Sequence, residues 1–170
     1  MVSKKQKVFI YPLLDKSCVY LMFNLSMERV IQEKISADHL LYVSLKYTKT
    51  CDVILNLITR WRSMIEIAMD RLLQKAKSKR LISSIPAAPK VKLEVLKKTF
   101  AKTSEIMETL NLYEFFKRAE NAQKIRENEF RKNVNLKIFD KGDYVNVDLD
   151  KLKEYSQILE RFISHLKQFL

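Results

Sequence analysis

Hydrophobic residues recur at helical spacing along most of this chain. Between residues 53 and 78, apolar positions repeat every three or four residues and charged side chains fill the opposite face. Similar patterns predict helices over residues 26–47, 53–78 and 90–102, from Thr103 or Ser104 onward, and after Asp148. A poorly helical cluster at residues 48–52 predicts a tight turn, with Asp52 capping the second helix, and short turns of this kind join antiparallel neighbours.

One passage before the last helix has the alternation of a β-strand. Residues 136–148 alternate apolar and polar side chains on both sides of Asp140–Asp143, a pattern that predicts a short β-hairpin. Pro86 and Pro89 favour extended backbone and predict a linker over residues 79–90. The sequence therefore predicts an all-α fold, an up-down bundle of four to five helices with one short β-hairpin before the last helix.

The first 25 residues do not continue the helical pattern. Three lysines precede the apolar stretch Val8–Leu14, which Asp15 and Lys16 interrupt. A membrane span needs about 20 apolar residues, and a signal peptide needs an unbroken apolar run with a small-residue cleavage site. We interpret residues 1–25 as an N-terminal extension, either packed on the bundle or poorly ordered, and residues 26–170 as a single helical domain.

Composition excludes several classes of site. The chain has one glycine, Gly142, whereas phosphate-binding loops and dinucleotide fingerprints need several. Cys18 and Cys51 have no CxxC spacing, so we expect reduced thiols, a cytoplasmic location, and neither a metal nor a cofactor. Richness in Lys, Glu, Ile and Leu is typical of a thermophilic, archaeal-type protein.

The positive charge is concentrated in residues 75–102, hereafter the basic segment. This segment carries a net charge of +8 out of +12 for the whole chain, with Glu94 as its one acidic residue. Its nine basic residues are Lys75, Lys77, Lys79, Arg80, Lys90, Lys92, Lys97, Lys98 and Lys102. Clustered lysines favour phosphate contacts over base-specific ones. The alternatives are a solvated basic face that aids solubility and, less favoured, an anionic membrane surface.

Candidate catalytic residues are few. His39 and His165 are the only histidines, and nucleophile elbows, HExxH motifs and calcium loops are absent. The order of elements over residues 36–170 resembles the HEPN (higher eukaryotes and prokaryotes nucleotide-binding) helical domains. The parts that look alike are the helix pair from Leu40-Leu41-Tyr42 to Leu72-Leu73, its Thr50-Cys51-Asp52 turn, and the later long helices.

The HEPN resemblance implies a nucleotide-binding partner or an RNA-cleaving toxin, often a homodimer. Active members of that family carry Arg, four to six residues, then His on a late helix. Here Arg161-Phe-Ile-Ser-His165 has three intervening residues and departs from the family spacing. Arg161 and His165 are therefore the catalytic candidates that the resemblance implies.

These patterns favour a small, non-catalytic and self-associating helical protein. Its basic segment would bind RNA, DNA or another polyanion without strong sequence specificity. Two alternatives stay open. One is a divergent HEPN-type ribonuclease, and the other is a structural protein–protein interaction module.

Overall fold

The computed structural model describes the backbone of residues 16–169 and the side chains of residues 27–169. Its helices are α1 (Lys16–His39), α2 (Leu45–Thr48), α3 (Cys51–Ser78), α4 (Pro89–Thr99), α5 (Ser104–Asn121) and α6 (Leu149–Phe169). Its strands are β1 (Lys124–Glu127), β2 (Asn135–Asp140) and β3 (Asp143–Val147). The protein is thus mostly helical, as predicted, with a small antiparallel sheet before the last helix.

The first helix starts earlier than the sequence pattern predicted. It begins at Lys16 rather than near Ser26 and continues into a π-helical turn at Leu40–Ser44. The apolar run from Cys18 to Phe23 contains neither Gly nor Pro, so it holds no residue that would break a helix. The predicted N-terminal extension therefore overlaps α1, and its remainder, residues 1–15, lies outside the described residues.

A tight turn joins α2 to α3, as predicted. Lys49 closes α2 in the left-handed conformation, with φ of 51°, and Thr50 occupies the N-cap position of α3 without a side-chain cap. Farther along, Arg60 on α3 pairs with Glu33 on α1 at 3.3 Å. This contact across the turn places α1 and α3 antiparallel. The prediction that Asp52 caps α3 was wrong, because its carboxylate accepts a 2.7 Å hydrogen bond from Arg126 instead.

Helix α4 breaks the up-down order. Lys92, in its first turn, pairs with Asp70 on α3 at 2.6 Å. Phe100, just past its end, packs edge-on against Phe169 at 5.3 Å between ring centroids. Lys79, just past the end of α3, lies 3.9 Å from the centroid of the same Phe169 ring. Helices α3 and α4 therefore finish at the same end of the molecule and run in the same direction, with the linker carrying the chain back between them.

The sheet has three strands in the order β1-β2-β3, both pairs antiparallel. The predicted hairpin is its β2–β3 half, where Lys141 and Gly142 both have positive φ, as a two-residue type I′ turn requires. The strand β1 was not predicted, because Lys124–Glu127 has a single apolar residue and shows no alternation. Arg118 on α5 holds the sheet through a two-pronged ion pair with Asp140, at 2.6 and 2.9 Å.

The core lies between α1, α3, α4, α5, α6 and the inner face of the sheet. Trp61 stacks on Phe116 at 6.0 Å and meets Tyr155 edge-on at 6.5 Å. The prediction for the last helix is confirmed at its start, where the Asp148 carboxylate accepts a 2.8 Å hydrogen bond from the backbone N–H of Lys151. Its apolar stripe is buried against the core at Leu152, Tyr155, Leu159, Phe162, Ile163 and Leu166.

Candidate nucleic-acid interface

The fold divides the basic segment into two parts. Lys75 and Lys77 lie in the last turn of α3, and Lys79 and Arg80 follow directly after it. The remaining lysines lie on α4 or just beyond it. Because α3 and α4 end together, the residues near both helix ends are neighbours in space, although the linker and most of α4 separate them in sequence.

Contacts around Phe169 define a basic end of the protein. The Lys79 ammonium covers one side of this ring and Phe100 packs against it edge-on. These contacts bring the ends of α3, α4 and α6 together. We call the cationic residues beside these ends the basic end, namely Lys77, Lys79, Arg80, Lys98 and Lys102. Lys167, exposed in the last turn of α6, is a further cation there that sequence reasoning missed.

Other lysines of the basic segment hold the fold together. Lys92 pairs with Asp70 on α3 at 2.6 Å, and Lys97 pairs with Glu114 on α5 at 2.8 Å. Both lysine side chains are about three-quarters buried, at 25% and 27% exposed. They fasten α4 to its neighbours, and their charge is already neutralised. Lys75, also predicted as a site residue, is half-buried on α3.

Lys90 belongs to a different surface. It lines a groove of about 400 Å³ between α4 and α5, together with Leu93, Tyr113, Lys117 and Arg118. This groove lies at the N-terminal end of α4, whereas the basic end lies at the C-terminal end of that helix. The structure therefore does not bring all nine predicted residues into one site.

The basic end keeps its charge exposed to solvent. Among the residues that the structure describes, no acidic side chain forms an ion pair with four of its members, Lys77, Arg80, Lys98 and Lys102. The carboxyl ends of α3, α4 and α6 carry partial negative charge, which nearby cations offset. At the same place α5 begins at Ser104, and its N-terminus favours anions.

Arg161 and His165 do lie together on α6. They line a shallow depression of about 500 Å³ with Glu105, Glu160 and Ser164. Arg161 donates a 3.0 Å hydrogen bond to Glu108, and the His165 ring stacks on Phe169 with a centroid separation of 6.5 Å. The Glu105 carboxyl accepts hydrogen bonds from its own backbone N–H and from Ser104. These bonds, with smaller contributions from the His165 and Arg161 charges, lower its pKa.

The remaining candidates are structural. The Cys51 thiol is buried against the Asn135 carbonyl oxygen at 3.5 Å, and burial, followed by the nearby Glu129 charge, raises its pKa. The Cys18 side chain lies outside the described residues. Over residues 27–169, no three His, Cys, Asp or Glu side chains come together in a way that could hold a metal ion. In the described part of the chain, no helix has the length and apolar character needed to cross a bilayer.

No protein-family model, curated protein or solved structure matches this chain. The resemblance to HEPN domains therefore stays a prediction, and so does the homodimer that it implies.

Sequence reasoning also missed two exposed aromatic residues. Tyr47 and Phe130 are 75% and 76% exposed, the highest values among the large hydrophobic side chains of the described residues. In the sequence, Tyr47 belongs to the apolar stripe of a helix, and Phe130 lies within the polar run before β2. An aromatic residue surrounded by charged residues, as Phe130 is by Glu129, Arg131 and Lys132, was the available signal.

Proposed function

We propose that this protein binds nucleic acid through its phosphate backbone, using the basic end, and that it has no catalytic activity of its own. The observation that carries the proposal is the convergence of the α3 and α4 ends. Arg80, Lys98 and Lys102 lie at or just beyond these helix ends, and all three are exposed and form no ion pair with an acid in the described part of the chain. Phosphate backbones reward such clusters because each neutralised phosphate releases counterions.

The chemistry of these cations supports weak sequence specificity. Four of the five members of the basic end are lysines. A lysine ammonium is a compact point charge that contacts phosphate from many directions, whereas base reading usually relies on the planar, two-pronged geometry of arginine. The proposal therefore covers RNA and DNA, with affinity that depends strongly on salt.

A matched pair of triple variants tests the proposal. One variant carries Arg80→Gln, Lys98→Gln and Lys102→Gln at the basic end. The control carries Arg29→Gln, Lys117→Gln and Lys141→Gln on α1, α5 and the hairpin turn, three exposed cations that likewise form no ion pair in the described part of the chain, and removes the same formal charge. In a filter-binding titration we expect the first variant to lose about tenfold or more in affinity and the control to bind nearly as the wild type does.

Equal losses in both variants would mean that only the overall charge matters and would contradict a localised site. No salt-dependent binding by the wild type would contradict the proposal altogether. A stable complex with a protein partner that is insensitive to the basic-end variant would favour the protein–protein interaction module instead.

The second candidate function is an RNA-cleaving activity of HEPN type. The observation that favours it is that Arg161 and His165 line one depression, next to Glu105. An imidazole and a guanidinium so placed would serve proton transfer and phosphate binding respectively. RNA cleavage that disappears in His165→Ala, with folding unchanged, would support it. Cleavage that is absent, or equal in both proteins, would exclude it.

A further inference from the structure

The β1–β2 loop is hydrogen-bonded to the turn between α2 and α3, which is distant from it in sequence. The backbone N–H of Phe130 donates a 2.7 Å hydrogen bond to the carbonyl oxygen of Lys49. The Glu129 carboxylate accepts a 2.9 Å hydrogen bond from the backbone N–H of Cys51. That N–H is in the first turn of α3, where no helical partner exists. Two consecutive residues of the β1–β2 loop therefore anchor it to the start of α3.

This anchoring holds Phe130 in an unfavourable backbone conformation. Its φ is 65°, and the neighbouring Asn128 and Lys49 have φ of 54° and 51°. A left-handed conformation is uncommon for a residue with a bulky side chain and costs free energy. That cost is not repaid by burying the ring, because the Phe130 side chain is 76% exposed. The anchored backbone of the loop therefore presents an aromatic ring to solvent.

A second exposed ring lies on the adjoining segment. Tyr47 is two residues before Lys49, the residue to which Phe130 is bonded, and its side chain is 75% exposed. Lys46 lies 5.9 Å from the centroid of the Tyr47 ring. We call this surface the aromatic patch, consisting of Tyr47 and Phe130 with the cations Lys46, Lys49, Arg131 and Lys132.

The acidic residues nearest to the aromatic patch are bound by other groups, and Asp52 and Glu129 share the single cation Arg126. Asp52 pairs with Arg126 at 2.7 Å, and Glu129 is bound by the Cys51 N–H and lies 3.7 Å from Arg126. Glu127 pairs with Lys137 at 2.7 Å. Over residues 27–169, none of the four patch cations forms an ion pair with an acid. The surface thus combines two exposed rings with four cations that form no ion pair, and these cations outnumber the one negative charge that Asp52 and Glu129 leave beside Arg126.

Exposed aromatic rings can bind a second copy of the chain or a nucleic-acid strand. The positive charge of the patch favours the nucleic acid. A second copy of the chain would bring the same four cations against each other across a two-fold axis, and like charges facing each other are costly. A single nucleic-acid strand offers bases that stack on aromatic rings and phosphates that neutralise lysine and arginine. Bases within a duplex are already stacked on each other and do not reach such rings.

We infer that the aromatic patch is a binding site for single-stranded nucleic acid, with Tyr47 and Phe130 as stacking platforms for unpaired bases. Lys46, Lys49, Arg131 and Lys132 bind the phosphates on either side. This site is separate from the basic end and adds a preference for unpaired bases that phosphate contacts alone do not give.

The test uses a short fluorescein-labelled oligothymidylate, an abasic strand of the same length, and fluorescence anisotropy on the full-length protein. The variants are Tyr47→Leu and Phe130→Leu, which keep an apolar side chain and remove the planar ring. Leucine at position 130 keeps the same left-handed strain. Phe139→Leu is the matched control, since Phe139 is also an exposed aromatic residue, at 41%, but packs against Tyr144 on the hairpin.

We expect the wild type to prefer the oligothymidylate over the abasic strand. Each patch variant should weaken oligothymidylate binding by about 5- to 150-fold, the range of one base–aromatic stack, and leave abasic-strand binding and the melting temperature unchanged. Phe139→Leu should behave as the wild type does. Equal wild-type affinity for the two strands, or patch variants that bind as tightly as the wild type, would overturn the inference.

The same data separate this inference from the proposed function. Binding of both strands that falls only in the basic-end triple variant would overturn the stacking site and leave the phosphate-binding proposal standing. Sedimentation velocity tests whether a second copy of the chain binds at the aromatic patch instead. A wild-type dimer that becomes a monomer in Phe130→Leu would assign the aromatic patch to self-association and overturn the inference.

Discussion

The 2.7 Å hydrogen bond from the Phe130 backbone N–H to the Lys49 carbonyl oxygen joins parts of the chain that are far apart in sequence. Lys49 directly follows α2, and Phe130 lies in the loop between β1 and β2. The bond fastens the small sheet to the helices at the α2–α3 turn. The ion pair of Arg118 with Asp140 fastens the sheet to α5. It also orients the aromatic patch, since both partners belong to that surface.

Glu129 supplies the cap that α3 lacks locally. Thr50, in the N-cap position, makes no side-chain hydrogen bond, and the Glu129 carboxylate accepts the Cys51 N–H instead. We expect Glu129→Ala to lower the free energy of unfolding by about 1 kcal/mol, the usual value of an N-cap. Urea denaturation measures it, with Glu154→Ala as the control, since Glu154 makes an exposed pair with Lys151 within α6. A loss no larger than the control's would show that the Glu129 bond does not act as a cap.

Asp140 should make stability depend on acid pH. The hydrogen bonds from the Arg118 guanidinium are the largest cause of the lowered pKa of the Asp140 carboxyl. A group with a lowered folded-state pKa stabilises the protein fully above its unfolded pKa of about 3.9, and this stabilisation is lost as pH falls from that value through the lower folded-state pKa. We expect Asp140→Asn to cost about 1–2 kcal/mol at pH 7 and the difference from wild type to shrink below about pH 4.

Chemical denaturation of both proteins across the acid range checks this prediction. A difference between wild type and Asp140→Asn that stays constant with pH would mean that packing, rather than the ion pair, accounts for the effect. Since Asp140 is 12% exposed and Arg118 is 38% exposed, we expect added salt to weaken the pair only in part.

Two buried tyrosines should make the protein lose stability in alkali. Burial raises the pKa of Tyr113 to about 12, helped by the hydrogen bond that its hydroxyl donates to Glu66 at 3.0 Å. Burial, followed by the Glu154 charge, raises the pKa of Tyr155 to about 12. Unfolded tyrosine ionises near pH 10, so stability is complete below about pH 10 and falls as pH rises toward 12.

Urea titrations at several alkaline pH values measure this slope, which is at most about 1.4 kcal/mol per pH unit for each tyrosine. Tyr113→Phe should lower stability at neutral pH, because it loses a hydrogen bond, and should reduce the alkaline slope. A slope unchanged in Tyr113→Phe would contradict the assignment of that raised pKa.

The sequence predicted those elements whose signal is local. The apolar stripes of α3 and α6, the Asp148 cap and the turn after Thr48 all depend on residues a few positions apart. The hairpin was found because Gly142, the one glycine, supplies a positive φ next to alternating strands. The strand β1 escaped detection because an edge strand with one apolar residue depends on its pairing with β2, and pairing between strands is not a local signal.

The candidate sites were harder to predict because they depend on tertiary contacts. Nothing local indicates that Lys92 and Lys97 pair with Asp70 and Glu114, or that α4 runs in the same direction as α3. Once these contacts are known, the nine basic residues of the basic segment reduce to the five of the basic end. The aromatic patch was missed for the same reason, since the loop that carries Phe130 is joined to the segment that carries Tyr47 by the tertiary hydrogen bond between Phe130 and Lys49.

The salt dependence of binding tests the central claim most directly. Affinity for a labelled single strand, measured over a series of salt concentrations, gives a slope of about −0.7 for each phosphate neutralised. We predict that the Arg80→Gln, Lys98→Gln and Lys102→Gln triple variant makes this slope less steep by about 2, for three lost contacts. The control triple at Arg29, Lys117 and Lys141 should leave it unchanged. An identical slope in wild type and both variants would contradict phosphate binding at the basic end.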